Sequence, residues 1–470
     1  MLDGSSTHFL MLLIPQTVPI MTSSSFSFHY LIVLLLLLHI IASFYLPATQ
    51  AASFRPKAFV LPITKHSSTL QYLTTLRQRT PLVSLHLVVD IGGKFVWNDC
   101  ETDFVSSSYK VVQYKSKACS RLHYKDLGIC FHPKGPGCGK KSCRIWPYNS
   151  VRQIITNGNY IQDVVVMRST DGSNPGRLVK VPRFLSGCTY SGFLELLADG
   201  VKGMAGLGRG DTSLPSQLAD TFSFPRKFAI CLGKKGVVIF GDAPYHFLPS
   251  QSTDYAKSLT YTPLLLNQNS SYEYYNFEGE PSYEYFIGVT AIKINGKQVK
   301  LNSTLLKIDH KGYGGTTISS ARPYTVMQSS IYADVTDAFH KEMAHFQTVA
   351  PVAPFKQCYN STLIKYNHLG PDVPHIDLLL QSSKVYWRIY GSNSMVQVSK
   401  EVLCLGIIDG GLGFQGGFLT SGQVTSIEIG GHTIENNLLQ FDLEASKLGF
   451  SSSLLLHKTR CSGFNFTSTG

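Results

Sequence analysis

The stretch that decides the fold runs from residue 89 to residue 100 and reads VDIGGKFVWNDC. It continues a run of alternating apolar residues, which predicts a β-strand with one apolar face leading directly into a turn at Asp90. The sequence TTISSA at 316–321 repeats this arrangement of an apolar strand that ends in small residues. Apolar segments containing glycine follow each of them, MAGLG at 204–208 and LCLGI at 403–407. This coarse repetition predicts two lobes of similar construction.

Length and composition fit packed domains and exclude disorder as the main state. The chain has 470 residues, of which 43% are hydrophobic and 15% are charged, so it can fill cores at roughly 100 to 200 residues per domain. Forty-two Lys+Arg against 30 Asp+Glu give a formal net charge of +12, which favours acidic partners in general. No dense run of Lys or Arg marks a nucleic-acid surface, and we therefore predict no nucleic-acid partner.

The N-terminal region has the pattern of a secretory leader. An apolar run at 31–42 (LIVLLLLLHIIA) precedes the small residues of 48–52 (ATQAA), which predicts a signal peptide cleaved near Ala51 or Ala52. We assign residues 1–52 to this leader with an upstream extension, and Met21 is an alternative start. An uncleaved membrane anchor is the other interpretation, but the run is short for a bilayer span. We therefore expect a secreted, extracellular protein of the apoplast or cell wall without a stable membrane anchor.

Cysteines and glycosylation motifs agree with that route. An even number of cysteines in a secreted chain predicts disulfides, and five of them crowd between 100 and 143 without matching a zinc-site spacing. We expect a stapled loop there, and neither a metal site nor a cofactor. The disulfide candidates are Cys100, Cys119, Cys130, Cys138, Cys143, Cys188, Cys231, Cys358, Cys404 and Cys461, and the N-glycosylation candidates are Asn269, Asn302, Asn360 and Asn465.

Short apolar runs separated by turn residues predict a mainly β protein. One helical pattern stands out, with Ser330 as its N-cap and apolar residues at helical spacing up to Glu342. The predicted strands, besides the one that ends at Asp90, are 163–168, 237–240, 285–294, 384–389 and 424–429.

These segments resemble the pepsin-like aspartic peptidase fold, and within it a plant group. The group contains basic 7S globulins, extracellular dermal glycoproteins and inhibitors of xyloglucan-specific endoglucanases and xylanases. The resemblance covers roughly Arg55 to the end of the chain. Besides 89–100, it rests on STDGSNPG at 169–176, GMAGLGR at 203–209, YFIGV at 285–289, GSNSMV at 391–396, NLLQFDL at 437–443 and LGFS at 448–451.

The resemblance implies a mainly β, bilobal double β-barrel with a central cleft, few short helices and disulfide staples. We expect residues 53–255 to form the N-terminal lobe and residues 256–470 the C-terminal lobe. Each lobe of this fold contributes one loop to the floor of the cleft.

An active peptidase of this fold needs two Asp-[Ser/Thr]-Gly loops, because two carboxyls sharing one proton supply both the base and the acid. Asp90 and Gly92 match the first loop, but Ile91 stands where a hydroxyl residue is expected. In the second loop, strand 316–318 puts Ser319 at the position of the second aspartate. Asp90 and Ser319 are then remnant positions, and we expect no catalytic residue.

Two alternatives to this assignment start from nearby residues. A different register, with Gly314-Gly315-Thr316 as the loop, would place Tyr313 at the acid position, and a phenol with a pKa of about 10 is a poor partner. Asp309 lies ten residues before Ser319, about 33 Å away in an extended chain, so only a tight turn back would bring it into reach.

The leading functional hypothesis is a proteolytically inactive protein that binds and inhibits a secreted cell-wall-degrading glycoside hydrolase, a xyloglucan endoglucanase or xylanase, in plant defence. Arg322 is the candidate inhibitory residue, because a guanidinium can meet a catalytic carboxylate with two hydrogen bonds. The resemblance places a second inhibitory loop between Asp409 and Ser426, but that stretch has no Lys or Arg. The alternatives are a storage or peptide-hormone-binding globulin of the basic 7S type, with a small cysteine-rich peptide as partner, and a residual aspartic endopeptidase.

Overall fold

The computed structural model describes residues 26–45, 54–122, 127, 135–138, 140–269, 281–411 and 425–467. The chain divides into two units, Met1–Arg55 and Pro56–Gly470. In the first unit, helix α1 spans Phe26–Tyr45 and includes the apolar run at 31–42. None of the helices in the described ranges combines the length and the apolar character of a membrane span.

The second unit is mainly β. In its first part the strands are Ala58–Lys65 (β1), Tyr72–Gln78 (β2), Val83–Asp90 (β3), Trp97–Asp99 (β4), Lys110–Val111 (β5), Arg144–Ile145 (β6), Tyr148–Asn149 (β7), Ile154–Ile155 (β8), Gly158–Thr170 (β9), Pro175–Thr189 (β10), Val201–Gly206 (β11), Lys227–Cys231 (β12) and Lys235–Gly241 (β13). Two helices, Lys117–Ser120 (α2) and Leu214–Phe222 (α3), lie between them.

The remaining strands are Thr260–Leu265 (β14), Phe286–Ile287 (β15), Ala291–Ile294 (β16), Lys297–Gln298 (β17), Thr316–Ile318 (β18), Thr325–Met327 (β19), Thr348–Val349 (β20), Cys358–Asn360 (β21), Tyr366–Asn367 (β22), Gly370–Pro371 (β23), Ile376–Ser382 (β24), Val385–Ile389 (β25), Met395–Gln397 (β26), Val402–Leu405 (β27), Ile407–Asp409 (β28), Ile427–Ile429 (β29), Leu438–Asp442 (β30) and Lys447–Phe450 (β31). The helices here are Ser329–Glu342 (α4), Gly391–Ser394 (α5) and Gly431–Ile434 (α6).

A sheet of six antiparallel strands joins the two parts of the chain, in the order β1-β13-β12-β30-β31-β14. At its centre β12 pairs with β30, and the register sets Phe228 opposite Phe441. Their rings stack with centroids 4.8 Å apart, and Tyr285 packs against Phe441 at 4.4 Å. The apolar core therefore runs continuously through both parts, which fixes the two cleft-forming loops relative to one another.

Two details differ from the sequence-based expectations. The predicted continuous strand at 285–294 is interrupted, because the Val289 amide turns back to the Ile287 carbonyl (3.2 Å) and only β15 and β16 form. Ser330 is not the N-cap of α4. The cap is Gln328, whose side-chain oxygen accepts hydrogen bonds from the amides of Ser330 and Ile331 and so satisfies two donors that the first turn leaves unpaired.

Disulfides staple the described part of the fold. The bonded pairs are Cys100–Cys188, Cys119–Cys143, Cys231–Cys461 and Cys358–Cys404. Cys138 is disulfide-bonded as well, whereas Cys130 lies outside the described residues. No cysteine among the described residues is free.

Candidate functional site: the loops at Asp90 and Ser319

Asp90 ends β3 and is held from both sides. Strand β11 runs parallel to β3 and aligns Gly206 with Asp90, and the Leu207 amide donates to the Asp90 carbonyl (2.8 Å). The side chain is 5% exposed. Its carboxylate accepts hydrogen bonds from the Ser150 hydroxyl (2.8 Å) and the Gly92 amide (3.2 Å). Neither donor is a carboxyl group.

Burial controls the acidity of Asp90. Removal from water raises its pKa to about 6, against the lowering effect of the hydrogen bonds from Ser150 and Gly92, and the negative charge of Glu428 adds to the rise. Asp90 can therefore carry a proton in mildly acidic solution.

The second loop follows β18, which runs parallel to β29 with Ile318 opposite Ile429. The Ser319 amide donates to the Ile429 carbonyl (2.9 Å), and Ser319 itself is partly exposed. The next residue, Ser320, is buried and reaches across to the first loop. Its hydroxyl accepts from the Ile91 amide (3.0 Å) and donates to the Val89 carbonyl (2.6 Å).

In each of the two loops a second backbone segment approaches so closely that only glycine fits at the contact. A Cβ at Gly206 would lie 2.4 Å from the Phe95 carbonyl oxygen, and a Cβ at Gly430 would lie 2.2 Å from the Tyr324 carbonyl carbon. Phe95 follows Asp90 by the same five positions by which Tyr324 follows Ser319. The same close approach between two backbone segments therefore occurs twice, once five positions after Asp90 and once five positions after Ser319.

Arg322 is paired within the protein. Its Nε donates to Glu428 Oε2 at 2.9 Å, and the two side chains are only 23% and 11% exposed. Burial lowers the pKa of Arg322, but the charges of Glu428 and of other neighbours outweigh this effect, so the net pKa rises above its ordinary value. Arg322 therefore stays charged and offsets one carboxylate of the cleft floor.

Glu284 and Glu428 bring two further carboxyls to the site. A Cβ at Gly92 would lie 3.1 Å from Glu284 Cγ, so this side chain lies over the turn that follows Asp90. Burial raises the pKa of Glu284 to about 8, helped by the negative charges of Glu428 and Asp90. Three carboxyls and one guanidinium thus lie within electrostatic reach of each other.

The two alternatives near the second loop lie in a turn. The chain does turn at Asp309, because the Asp309 amide donates a hydrogen bond to the Tyr313 carbonyl (2.7 Å). The Asp309 side chain is exposed, however, and its carboxylate accepts hydrogen bonds from the amides of Lys311 and Tyr313. That carboxylate therefore stabilises its own turn.

The remaining predicted positions are the second inhibitory loop and the four N-glycosylation candidates. In the stretch from Asp409 to Ser426, residues 412–424 are outside the described residues, and Asp409 pairs with Lys356 at 2.7 Å. Asn269 and Asn302 are exposed, whereas Asn360 and Asn465 are partly exposed. Glycosylation of these four stays a prediction.

Sequence reasoning missed Ser150, Glu284 and Glu428. Glu284 lies next to the family-like segment at 285–289, and Glu428 directly precedes the Ile429-Gly430 step, so position beside a loop segment was the only available signal. A local pattern does not specify which distant side chains meet in a cleft.

Peptide hydrolysis by this fold requires two carboxyls that share one proton, whereas the hydrogen-bond donors to the Asp90 carboxylate among the described residues are the Ser150 hydroxyl and the Gly92 amide. The described ranges also contain no group of three or more His, Cys, Asp or Glu side chains placed to hold a metal ion. The fold and this site define an aspartic-peptidase-like protein.

The chain belongs to the xylanase inhibitor family. The family's N-terminal domain, described as "Xylanase inhibitor N-terminal", matches residues 72–242, and "Xylanase inhibitor C-terminal" matches residues 284–452. The pepsin-like fold and the relationship predicted from the sequence are confirmed. The lobe boundary at 255/256 stays a prediction.

Relatives of known name agree with this membership. A probable aspartic proteinase GIP2 of Nicotiana benthamiana is 50% identical over 90% of this chain and 94% of its own length, and gamma conglutin 1 of Prunus dulcis is 38% identical over 88% and 90%.

Solved structures give the same result. The crystal structure titled "edgp" aligns with a TM-score of 0.83 at 51% identity over 88% of this chain and all of its own, and soybean basic 7S globulin aligns at 0.73 and 32% over 88% and 99%. An aspartic proteinase of Irpex lacteus, at 15% identity and a TM-score of 0.52, covers 88% of this chain and all of its own and shares the fold alone.

Proposed function

We propose that this protein is a secreted, non-proteolytic member of the fold that binds and inhibits a cell-wall-degrading glycoside hydrolase, a xyloglucan endoglucanase or xylanase, in plant defence. The observation that carries the proposal is the composition of the cleft floor. Asp90 receives hydrogen bonds from a hydroxyl and an amide, and the loop facing it offers the serines 319 and 320.

The assignment of Ser319 to the lost acid position is part of this proposal. It is supported by two equivalent close backbone approaches, of Gly206 to Phe95 and of Gly430 to Tyr324. Asp90 precedes the first of these contacts by five positions in the sequence, and Ser319 precedes the second by five. A serine hydroxyl does not ionise in the range in which the enzyme chemistry needs a carboxyl. The proton-sharing pair therefore cannot form at these two positions.

Arg322 is the proposed inhibitory cation. Its Nε is engaged by Glu428, but no hydrogen bond joins either of its Nη atoms to a described residue, so that side of the guanidinium can meet a carboxylate of the hydrolase. An acidic pair in a glycosidase active site presents such carboxylates. Glu428 competes with them for the same cation.

This competition makes the test sharp. With the purified protein titrated into a xyloglucan endoglucanase or a xylanase, Arg322→Ala should weaken inhibition and Glu428→Gln should strengthen it. Arg168→Ala is the matched control, because Arg168 is an exposed arginine whose side chain donates to the Gly176 carbonyl and to no acidic group in the described part of the chain. Unchanged hydrolysis at every ratio of wild-type protein to either enzyme would overturn the proposed inhibition. Equal weakening by both cleft variants would reduce Arg322 to a structural role.

Residual endopeptidase activity is the second candidate, and Glu284 is the observation that favours it. This carboxyl has its pKa raised to about 8 and lies over the turn after Asp90, so it can hold a proton beside an aspartate. The test is hydrolysis of a denatured protein substrate at acidic pH. Activity that Asp90→Asn and Glu284→Gln both abolish would support a peptidase, whereas activity equal to the blank would exclude it.

A further inference from the structure

Most of the net positive charge of this protein comes from one short part of the chain. Between residues 110 and 144 there are nine Lys or Arg residues and one acidic residue, Asp126, so this stretch carries +8 of the +12 formal net charge. The basic residues are spread along the sequence, which is why no single run stands out. A surface forms only if the fold brings them together.

The fold does so through two neighbouring segments. Gln113 pairs with Ser142 in an antiparallel bridge, the Tyr114 amide donates to the Lys141 carbonyl (2.9 Å), and the Cys119–Cys143 disulfide closes the segment behind them. Neighbouring antiparallel segments lie about 5 Å apart. We define the lysine patch as the five described lysines on these segments, Lys110, Lys115, Lys117, Lys140 and Lys141.

The charges of the lysine patch are not paired with acidic groups among the described residues. All five side chains are exposed, and none forms an ion pair with a described residue. The nearby Arg121 differs, because it pairs with Asp220 at 2.6 Å. Like charges on adjacent segments repel each other, so the patch lowers its electrostatic energy when an external anion covers it.

The composition of the patch indicates the kind of anion. Lysine is a compact point charge that attracts anions without the fixed two-bond geometry of arginine, and it is depleted in the cores of protein–protein interfaces. Disulfides persist in oxidising compartments such as the extracellular space, where nucleic acid is not the usual polyanion. A polymer with regularly spaced carboxylates fits such a surface.

We propose that the lysine patch binds a carboxylated polysaccharide, a polymer of uronic acid, and so retains the protein in the cell wall. The inference rests on the extracellular location in the proposed function, but it does not depend on inhibition of a hydrolase. It assigns the patch to localisation and leaves the cleft at Asp90 free for a protein partner.

The experiment measures retention of the full secreted protein on immobilised polygalacturonate at mildly acidic pH, without any hydrolase. We expect binding that weakens with added salt, because salt screens exposed charges, and no binding to the same polymer after full methyl esterification. Changing all five lysines of the patch to Gln should weaken binding roughly tenfold or more, and changing them to Arg should preserve it.

The matched control changes five exposed lysines elsewhere to Gln, namely Lys300, Lys311, Lys365, Lys384 and Lys400, and has the same net charge as the patch variant. An equal loss in the control would overturn the proposal, as would tighter binding of duplex DNA than of polygalacturonate. Inhibition of a hydrolase should be the same in the wild type and the patch variant. A failure of the proposed function therefore leaves this test intact.

Discussion

The hydroxyl of Ser320 joins the two loops of the cleft floor. It accepts a hydrogen bond from the Ile91 amide and donates one to the Val89 carbonyl, 229 and 231 positions away in the sequence. The first loop cannot return the contact in the same way, because residue 91 is an isoleucine. A single side chain therefore satisfies two buried backbone groups of the opposite loop.

Removing this hydroxyl should destabilise the fold. We expect Ser320→Ala to lower the free energy of unfolding by about 1–3 kcal/mol, because two buried polar groups lose their partner, as measured by urea denaturation. Ser319→Ala is the control and should cost less, since among the described residues that hydroxyl accepts a single long hydrogen bond (3.3 Å), from the Arg322 amide. Equal costs for the two variants would contradict the role given to Ser320.

Helix α4 shows how an element acquires its exact start. The sequence indicates a helix there through its apolar periodicity, and the predicted last residue, Glu342, agrees with the structure. The predicted cap is wrong because both a serine and a glutamine precede the apolar run, and propensity favours serine. In the structure the longer Gln328 side chain reaches forward to the amides of the first turn, and the Ser330 hydroxyl donates to the same Gln328 oxygen at 2.6 Å.

The Gln328 cap accepts from two amides and should therefore contribute more to the free energy of unfolding than Ser330 does. Gln328→Ala should lower the free energy of unfolding by about 0.5–2 kcal/mol, in the range of other N-cap losses. Ser330→Ala should cost less, because it keeps both amide bonds to Gln328. Thermal unfolding of the two variants measures the difference, and a larger loss for Ser330→Ala would restore serine as the cap.

The stability of the whole molecule should depend on pH through the cleft. The pKa values of Asp90 and Glu284 are raised to about 6 and about 8, from ordinary values near 4. At these two sites the folded state binds more protons than the unfolded state between about pH 4 and pH 8, so their contribution to the free energy of unfolding should fall as pH rises through that window. The lowered pKa values of His375 and His432 contribute with the opposite sign in part of the same range. Asp409 has the opposite sign, but its lowered pKa of about 2 confines its effect to more acidic solution.

The variant Asp90→Asn with Glu284→Gln should remove this contribution, so the free energy of unfolding should fall less steeply with pH, or rise more steeply, than in the wild type. Chemical denaturation at a series of pH values from 4 to 8 measures the slope directly. A matched double variant at exposed carboxyls, Asp309→Asn with Asp337→Asn, should keep the wild-type slope. An unchanged slope in the cleft variant would show that these two groups do not control it.

The Cys231–Cys461 disulfide ties β12 to the C-terminal end across 230 positions of the sequence. Replacing both cysteines by Ala should lower the free energy of unfolding by about 2–5 kcal/mol. The same change at Cys358–Cys404, separated by 46 positions, should cost about 1.4 kcal/mol less, because a disulfide that closes a shorter loop restricts the unfolded chain less. Denaturation of both variants under non-reducing conditions tests this order, and the reverse order would contradict it.

Sequence alone determined the fold and the family, whereas the replacement of the second acid by Ser319 stays a prediction. The pepsin-like architecture was implied by the resemblance of VDIGGKFVWNDC and the other matching segments to that family. Short alternating strands predict a mainly β chain, because periodicity and glycine turns are local properties. Helix α4 and the strands predicted at 163–168, 237–240 and 384–389 were found for the same reason, but most of the shorter strands were not predicted. The cap of α4 and the break after Ile287 were not predicted either, since competing local hydrogen bonds decide them.

Only the tertiary structure decided the surroundings of Asp90 and the lysine patch. Ser150 lies 60 positions from Asp90, and Glu428 lies 106 from Arg322. Neither distance leaves a pattern in the sequence. Such contacts arise where separate strands cross, and their electrostatic effects depend on burial that the whole fold creates. The five lysines of the patch also leave no pattern in the sequence. They form one positively charged surface because an antiparallel bridge and a disulfide bring their two segments together.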